Sequence, residues 1–420
     1  MPVGRKTAAG RTAVMTLEQE IERLSRGVVD ILPEGELGRR LREVRARGQV
    51  LRVKFGADPS APDLHLGHAV VLRKLREFQD CGHEVVFLIG DFTGMIGDPT
   101  GKSETRPALT REQVLENAGT YQEQVFRILD PGRTIIRFNS EWMDGMKAAE
   151  VVRLCGHMTV ARMAEREDFA NRLATGRAIG LHEFLYPLIQ GYDSVVLDAD
   201  VEVGGTDQRF NLLVGRDLQK AWGQTPQVVL TLPLLEGTDG RQKMSKSLGN
   251  AIGVADDADT IFGRTMSIAD ELVTRWASLL GFEFAAGAIE EIGPMAAKKN
   301  LAEKLSTWLC GAEEASRART RFEHRFQLRE SYEPELRELV VSEAMSLARL
   351  LVQLGFASSG AAARRLIVQG GVRIDGERAT DGTRTFHGGD VVLVAAGRRH
   401  LARVRLVLST EGLDHGETAR

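Results

Sequence analysis

The segment between residues 50 and 90 constrains the fold more than any other. Residues 50–55 form a short β-type run, and Gly56-Ala57-Asp58-Pro59-Ser60-Ala61-Pro62-Asp63 is dense in turn residues. Residues 65–79 then place Val70, Val71, Leu72, Leu75 and Phe78 on one helical face. After them 84–90 is almost continuously apolar, as a strand covered on both sides must be. Strand, loop, helix and strand in that order make a βαβ unit, which predicts an α/β chain with a doubly wound parallel, Rossmann-like sheet.

The rest of the chain extends this pattern. Thr134–Phe138 reads as a strand, 145–175 as largely helical and 184–193 as a helix. Residues 195–197 and 227–232 read as strands, with loop then helix over 204–218. Residues 256–335 alternate charged and apolar groups at helical spacing and predict a small α-helical region. Beyond it, 345–354 and 361–369 read as paired helices, followed by short strands around 372–374 and 391–394. A length of 420 residues suits two or three domains. The expected boundaries are 1–255, with an insertion at about 140–185, then 256–340 and 341–420.

Three widely spaced cysteines have neither ligand spacing nor an even number, which argues for a reducing compartment and against a zinc site or disulfide framework. No apolar run reaches the roughly 20 residues that a membrane helix needs. Arg5, Lys6 and Arg11 precede no apolar stretch, so a cytoplasmic location is expected, with no membrane partner and no secretory signal. Net charge is −3, but its distribution is uneven. Residues 341–410 hold ten arginines, five acidic residues and no lysine. Arg364, Arg365, Arg373 and Arg378 therefore read either as a solvated face or as a phosphate-binding one. The planar guanidinium favours phosphate recognition, and hence RNA.

Two motifs carry chemistry. His65-Leu66-Gly67-His68 falls where a helix begins after a strand and loop. That place offers unpaired N–H groups and a positive dipole to an anion. Gly67 lets a nucleotide approach the backbone, and His65 and His68 can donate hydrogen bonds as charge builds on a phosphate. Lys243-Met244-Ser245-Lys246-Ser247, flanked by Gly237, Gly240 and Gly249, supplies mobile positive charge for the outer phosphates. Singly, the histidines read as a polar turn and the lysines as a solvated loop. Together they point to ATP as substrate, with Mg²⁺ carried on it and no metal site in the protein.

These motifs resemble those of class I aminoacyl-tRNA synthetases, and the segments between them resemble the bacterial-type tyrosyl-tRNA synthetase family. The resemblance rests on Gly56-Ala57-Asp58-Pro59, the two motifs above, Thr93-Gly94-Met95-Ile96-Gly97-Asp98-Pro99, Tyr186-Pro187-Leu188-Ile189-Gln190-Gly191-Tyr192-Asp193 and Gly204-Gly205-Thr206-Asp207-Gln208. It spans roughly residues 15–410, with 345–410 similar to an S4-type RNA-binding domain. It implies that His65, His68, Lys243 and Lys246 are catalytic, and that Gly56, Asp58, Gly67, Gly205, Asp207, Met244 and Ser247 bind ATP or the adenylate. It implies that Asp98, Tyr186 and Gln190 take the amino group of L-tyrosine, with Thr93 close by. By the same resemblance Asp193 accepts the phenol hydroxyl and Gln208 lies beside the substrate carboxylate. The implied partners are tRNA(Tyr) and a second copy of the chain, through the segment around 140–185.

Tyr186, Gln190 and Asp193 also stand at i, i+4 and i+7, one helical face, which reads as a pocket wall or as a polar stripe facing solvent. Lys54 departs from the better-known branch of the family, which has tyrosine there. It either lines the tyrosine pocket, favouring an ionised Asp193, or points outward from a strand end. Three rival readings remain open: a tryptophanyl enzyme, an RNA-binding protein on an inactive synthetase scaffold, and a small adenylyltransferase.

Overall fold

The computed structural model describes residues 15–100, 109–285, 287–326, 336–341, 344–397 and 400–408. The chain divides into two compact units, Met1–Phe322 and Glu323–Arg420.

The first unit is built on six strands: β1 (Asp30–Leu32), β2 (Arg52–Ala57), β3 (Glu84–Ile89), β4 (Thr134–Phe138), β5 (Val201–Gly205) and β6 (Val228–Leu232). Their order is β1-β6-β5-β2-β3-β4, parallel throughout except for the antiparallel edge strand β1. The chain leaves β2 toward β3 and later returns to lay β5 on the other side, so the order reverses between β2 and β5. In doubly wound sheets, ligands bind outside the carboxyl ends of the strands at such a reversal.

Helix α1 (Leu66–Asp80) buries Leu66, Ala69, Leu72, Leu75 and Phe78 against the sheet, and His65 is its N-cap. Helix α2 (Leu181–Leu197) packs on α3 (Arg209–Ala221) at very short range. A Cβ on Gly191 would come within 2.9 Å of Leu218, and one on Gly215 within 2.6 Å of Gln227. These glycines let α2 approach closely enough to present its polar face to the cleft. The helices of 258–310 share the main core through Ile261, Trp276, Leu301 and Leu305.

Several expectations need correction. Residues 195–197 are the last turn of α2 and not a strand; the strand is β5, which takes in Gly204 and Gly205. Residues 145–175 break into Ala148–Cys155, Val160–Ala164 and Glu167–Ala174, because Gly156 and the extended Thr159 and Arg166 interrupt them.

The second unit has its own core of Leu347, Leu350, Leu351, Ile367, Ile374, Val394 and Leu406. Its strands are β7 (Leu336–Val341), β8 (Met345–Ser346), β9 (Val372–Ile374), β10 (Glu377–Arg378), β11 (Thr385–Phe386), β12 (Val391–Ala396) and β13 (His400–Leu408). Helices Leu347–Gln353 and Gly360–Val368 pack as a pair beside the sheet β10-β9-β12-β13-β7. Arg364, Arg365, Arg373 and Arg378 are exposed, whereas Arg398 and Arg399 lie outside the described residues.

Candidate active site

The carboxyl ends of β2, β3 and β5, helix α2 and the loop carrying Lys243 and Lys246 enclose a cleft of about 430 Å³. Its floor is charged yet dry. Lys54 on β2 and Glu202 on β5 are paired in register, and their side chains are 0% and 1% exposed. The Lys54 ammonium lies 2.8 Å from Glu202 Oε1 and donates to Ser194 Oγ at 2.8 Å and to the Gln190 carbonyl at 3.0 Å. Ser194 and Gln227 both donate to Glu202 Oε2. The outward reading of Lys54 therefore fails.

Asp193, buried beside this pair, accepts the Trp142 indole N–H at 2.9 Å and a longer 3.4 Å contact from Asn139 Nδ2. Burial pushes its carboxyl up to about 7, outweighing the opposing pull of Lys54. Lys54 does favour the ionised Asp193, as expected from the sequence, but desolvation outweighs it and decides the net direction.

Above the floor, Tyr186, Gln190 and Asp193 share the cleft-facing side of α2. Tyr186 donates to Asp58 Oδ2 at 2.8 Å and Thr93 to Asp58 Oδ1 at 2.6 Å. A Cβ on Gly90 would lie 2.1 Å from that carboxylate, so Gly90 makes room for it. Burial, with Asp58 alongside, pushes the Tyr186 phenol well up and keeps it a donor. Gln208 Nε2 donates to Asp98 Oδ2 at 2.8 Å. Gln190 Oε1 is buried with no hydrogen-bond partner among the described residues, leaving an acceptor for a ligand.

At the other end, His65 and His68 meet with ring centroids 4.0 Å apart. His65 Nδ1 accepts the Gly67 amide and His68 Nδ1 the His65 amide, both at 3.2 Å. With each Nδ1 used as an acceptor, the proton of each neutral ring sits on Nε2. Burial, reinforced by neighbouring positive charge, pushes His65 down to about 2 and His68 to about 4. Both rings are neutral donors. A Cβ on Gly67 would approach the His65 ring to 2.9 Å.

The lysine loop is tied down by its backbone. Met244 N–H donates to the Leu235 carbonyl, and Asn250 Oδ1 accepts the Ser245 amide. Lys243 lies 2.9 Å from Asp207 Oδ2, and Lys246 pairs with Asp63. Gly205 is required beside them, since its Cβ would come within 2.6 Å of Asp207. Gly56, Met244 and Asp207 line the cleft, while the side chain of Ser247 lies outside those described.

The profile of the tRNA synthetases class I (W and Y) matches residues 46–327, and that of the S4 domain matches 345–392. The chain belongs to the class I tRNA synthetases of the W and Y family. It is 51% identical over 401 residues to the tyrosine--tRNA ligase of Geobacter sulfurreducens, covering 93% of this chain and 99% of that one. It is 50% identical to that of Thermotoga maritima, covering 93% and 98%. Among solved structures, a C-terminally truncated mitochondrial tyrosyl-tRNA synthetase of Aspergillus nidulans aligns with a TM-score of 0.61 at 22% identity, over 74% of this chain and 95% of that one. The L-tyrosine complex of tyrosyl-tRNA synthetase from Archaeoglobus fulgidus aligns at 0.57 and 24%, over 73% and 100%. The two structures support the fold.

In this synthetase every residue singled out between Lys54 and Lys246 lines one cleft. Sequence reasoning missed Glu202, Asn139, Trp142 and Asp63. Glu202 carried a signal: one acid between apolar residues in Val201-Glu202-Val203 needs a buried partner, as Lys54 does in Val53-Lys54-Phe55. Trp142 and Asn139 follow β4 in a polar stretch without any such mark.

Proposed function

We propose that this synthetase activates L-tyrosine with ATP and transfers it to tRNA(Tyr). The observation that carries the substrate is Asp193, a buried carboxylate at the closed end of a cleft whose open end holds two neutral histidines and two lysines. The phenol hydroxyl donates to Asp193, and the substrate ammonium takes Asp98, Gln190 Oε1 and the polar group around Tyr186 and Thr93. The amino-acid carboxylate then faces the nucleotide end, beside Gln208.

ATP enters with its Mg²⁺ between Gly56, Gly67 and Gly205, and its ribose takes Asp207 as Lys243 moves to the phosphates. The tyrosine carboxylate attacks the α-phosphorus, forming tyrosyl-adenylate and releasing pyrophosphate. His65 and His68 donate through Nε2 as negative charge develops, and Lys243 and Lys246 follow the departing oxygens. A terminal ribose hydroxyl of the tRNA then attacks the adenylate carbonyl. Proximity in the cleft carries much of this second step.

The exposed Arg364, Arg365, Arg373 and Arg378 contact tRNA phosphates, which position the RNA without reading its sequence. Val152, Val160 and Leu181 are 70%, 76% and 84% exposed on the segment assigned to a second copy of the chain, which supports a homodimer. No helix among the described residues is long and apolar enough to cross a membrane. Pyrophosphate exchange with each of the twenty amino acids tests the reading. Exchange with tyrosine alone is expected; exchange with tryptophan, or none, overturns it.

A further inference from the structure

A closed ring of hydrogen bonds joins the cleft-lining Asp98 and Gln208 to Arg166 and Asn211, which stand outside the lining. Arg166 Nη2 donates to Asp98 Oδ1 at 3.3 Å, and Gln208 Nε2 donates to Asp98 Oδ2 at 2.8 Å. Asn211 Nδ2 donates to Gln208 Oε1 at 3.0 Å, and Arg166 Nη1 returns to Asn211 Oδ1 at 3.2 Å. Arg166 also donates to Thr100 Oγ1 at 2.6 Å, and Thr100 in turn holds Asp98 through both its amide and its hydroxyl. The arginine comes from the segment between β4 and α2, where it starts the helix Glu167–Ala174. Its side chain is 5% exposed and stacks over Phe169.

We infer that Arg166 is a positioning residue for the ammonium of the amino-acid substrate, holding Asp98 in place from outside the cleft. The inference rests on the reading that Asp98 takes that ammonium. A cation behind an ammonium site would ordinarily repel the ligand. Here the charge is already balanced, because Arg166 Nε lies 2.7 Å from Asp168 Oδ1 and that carboxylate is 7% exposed. The closer partner is Asp168, and the longer contact goes to Asp98. Arg166 thus contributes geometry to Asp98 while leaving its negative charge available. The planar fork, with one arm to Asn211 and the other to Asp98 and Thr100, fixes three neighbours at once in set directions, which an ammonium cannot do.

Calorimetric binding of three ligands to the full chain tests this. L-Tyrosine carries both charged groups, L-tyrosinol keeps the ammonium and lacks the carboxylate, and 3-(4-hydroxyphenyl)propionate lacks the ammonium. Arg166→Ala is expected to weaken tyrosine and tyrosinol by about tenfold or more while changing the propionate less than about twofold, the effect of losing one charge-assisted hydrogen bond. Arg166→Lys keeps the charge opposite Asp168 and is expected to recover part of that loss. Asp168→Asn leaves the guanidinium unbalanced beside Asp98 and is expected to weaken the same two ligands selectively. Equal weakening of all three ligands, or none, overturns the inference. If the unsubstituted protein binds the propionate as tightly as tyrosine, the ammonium reading itself fails, and the inference with it.

Discussion

At the floor of the cleft, Lys54 and Glu202 are excluded from water and surrounded by Ser194, Gln227 and the Gln190 carbonyl. At the rim, Lys243 is 49% exposed against Asp207, and Lys246 is 33% exposed against Asp63. The same chemical pairing serves two purposes. A buried pair is costly to break, because the abandoned charge has no water to turn to. A pair at the surface is worth little and is screened by salt, so a triphosphate can take the lysine from its carboxylate. On the proposed function, this makes the amino-acid end preformed and selective and the nucleotide end exchangeable.

Breaking the floor should have the largest effect. Lys54→Met is expected to lower stability by about 3–5 kcal/mol in urea unfolding, and adding Glu202→Gln should restore much of it. Equal stability of the single variant and the parent would remove the distinction between floor and rim. Next come the rim lysines. Lys246→Ala should slow tyrosyl-adenylate formation by about a hundredfold or more, read by single-turnover kinetics, because charge stabilisation in the transition state is lost. Asp193→Asn should weaken tyrosine binding by about ten- to a hundredfold, the cost of a charge-assisted acceptor.

A pH series sharpens the comparison from the other side. The Asp193 carboxyl, held at about 7, is protonated below that value and ionised above it. The ionised form accepts the phenol proton, so tyrosine affinity without ATP should rise up to about tenfold per pH unit approaching 7, then level off. The stability term has the opposite sign: raised from 3.8, this group contributes fully at low pH, and its contribution is lost as pH rises through about 7. Phenylalanine, lacking the hydroxyl, should show no such dependence. The smallest effect is expected for Asp63→Asn, which frees Lys246 and should change stability by less than about 1 kcal/mol.

The helix-capping histidines, β3 and β4 were legible because apolar runs and turn residues mark them directly. β5 was not. Its glycines and Glu202 disguise a buried strand, while the apolar end of α2 at 195–197 imitates one. The disguise has physical causes. Glu202 answers Lys54 on the neighbouring strand, and a Cβ on Gly205 would strike Leu234 at 2.8 Å. The charge state of Asp193 was unreadable for a related reason. Sequence placed Lys54 nearby, which favours the ionised form, but could not show how deeply the carboxylate is buried, and burial outweighs Lys54, Trp142 and Asn139 together.

The separation of the two ends is tested most directly by measuring tyrosine affinity and tyrosine-dependent pyrophosphate exchange on the same preparations of Lys246→Ala and Asp193→Asn. Lys246→Ala should retain tyrosine affinity within about twofold while exchange collapses, as expected for a lysine acting only on the phosphates. Asp193→Asn should lose tyrosine affinity, with exchange recovering at saturating tyrosine. A Lys246→Ala protein that loses tyrosine binding in step with exchange would contradict a preformed floor beneath an exchangeable rim.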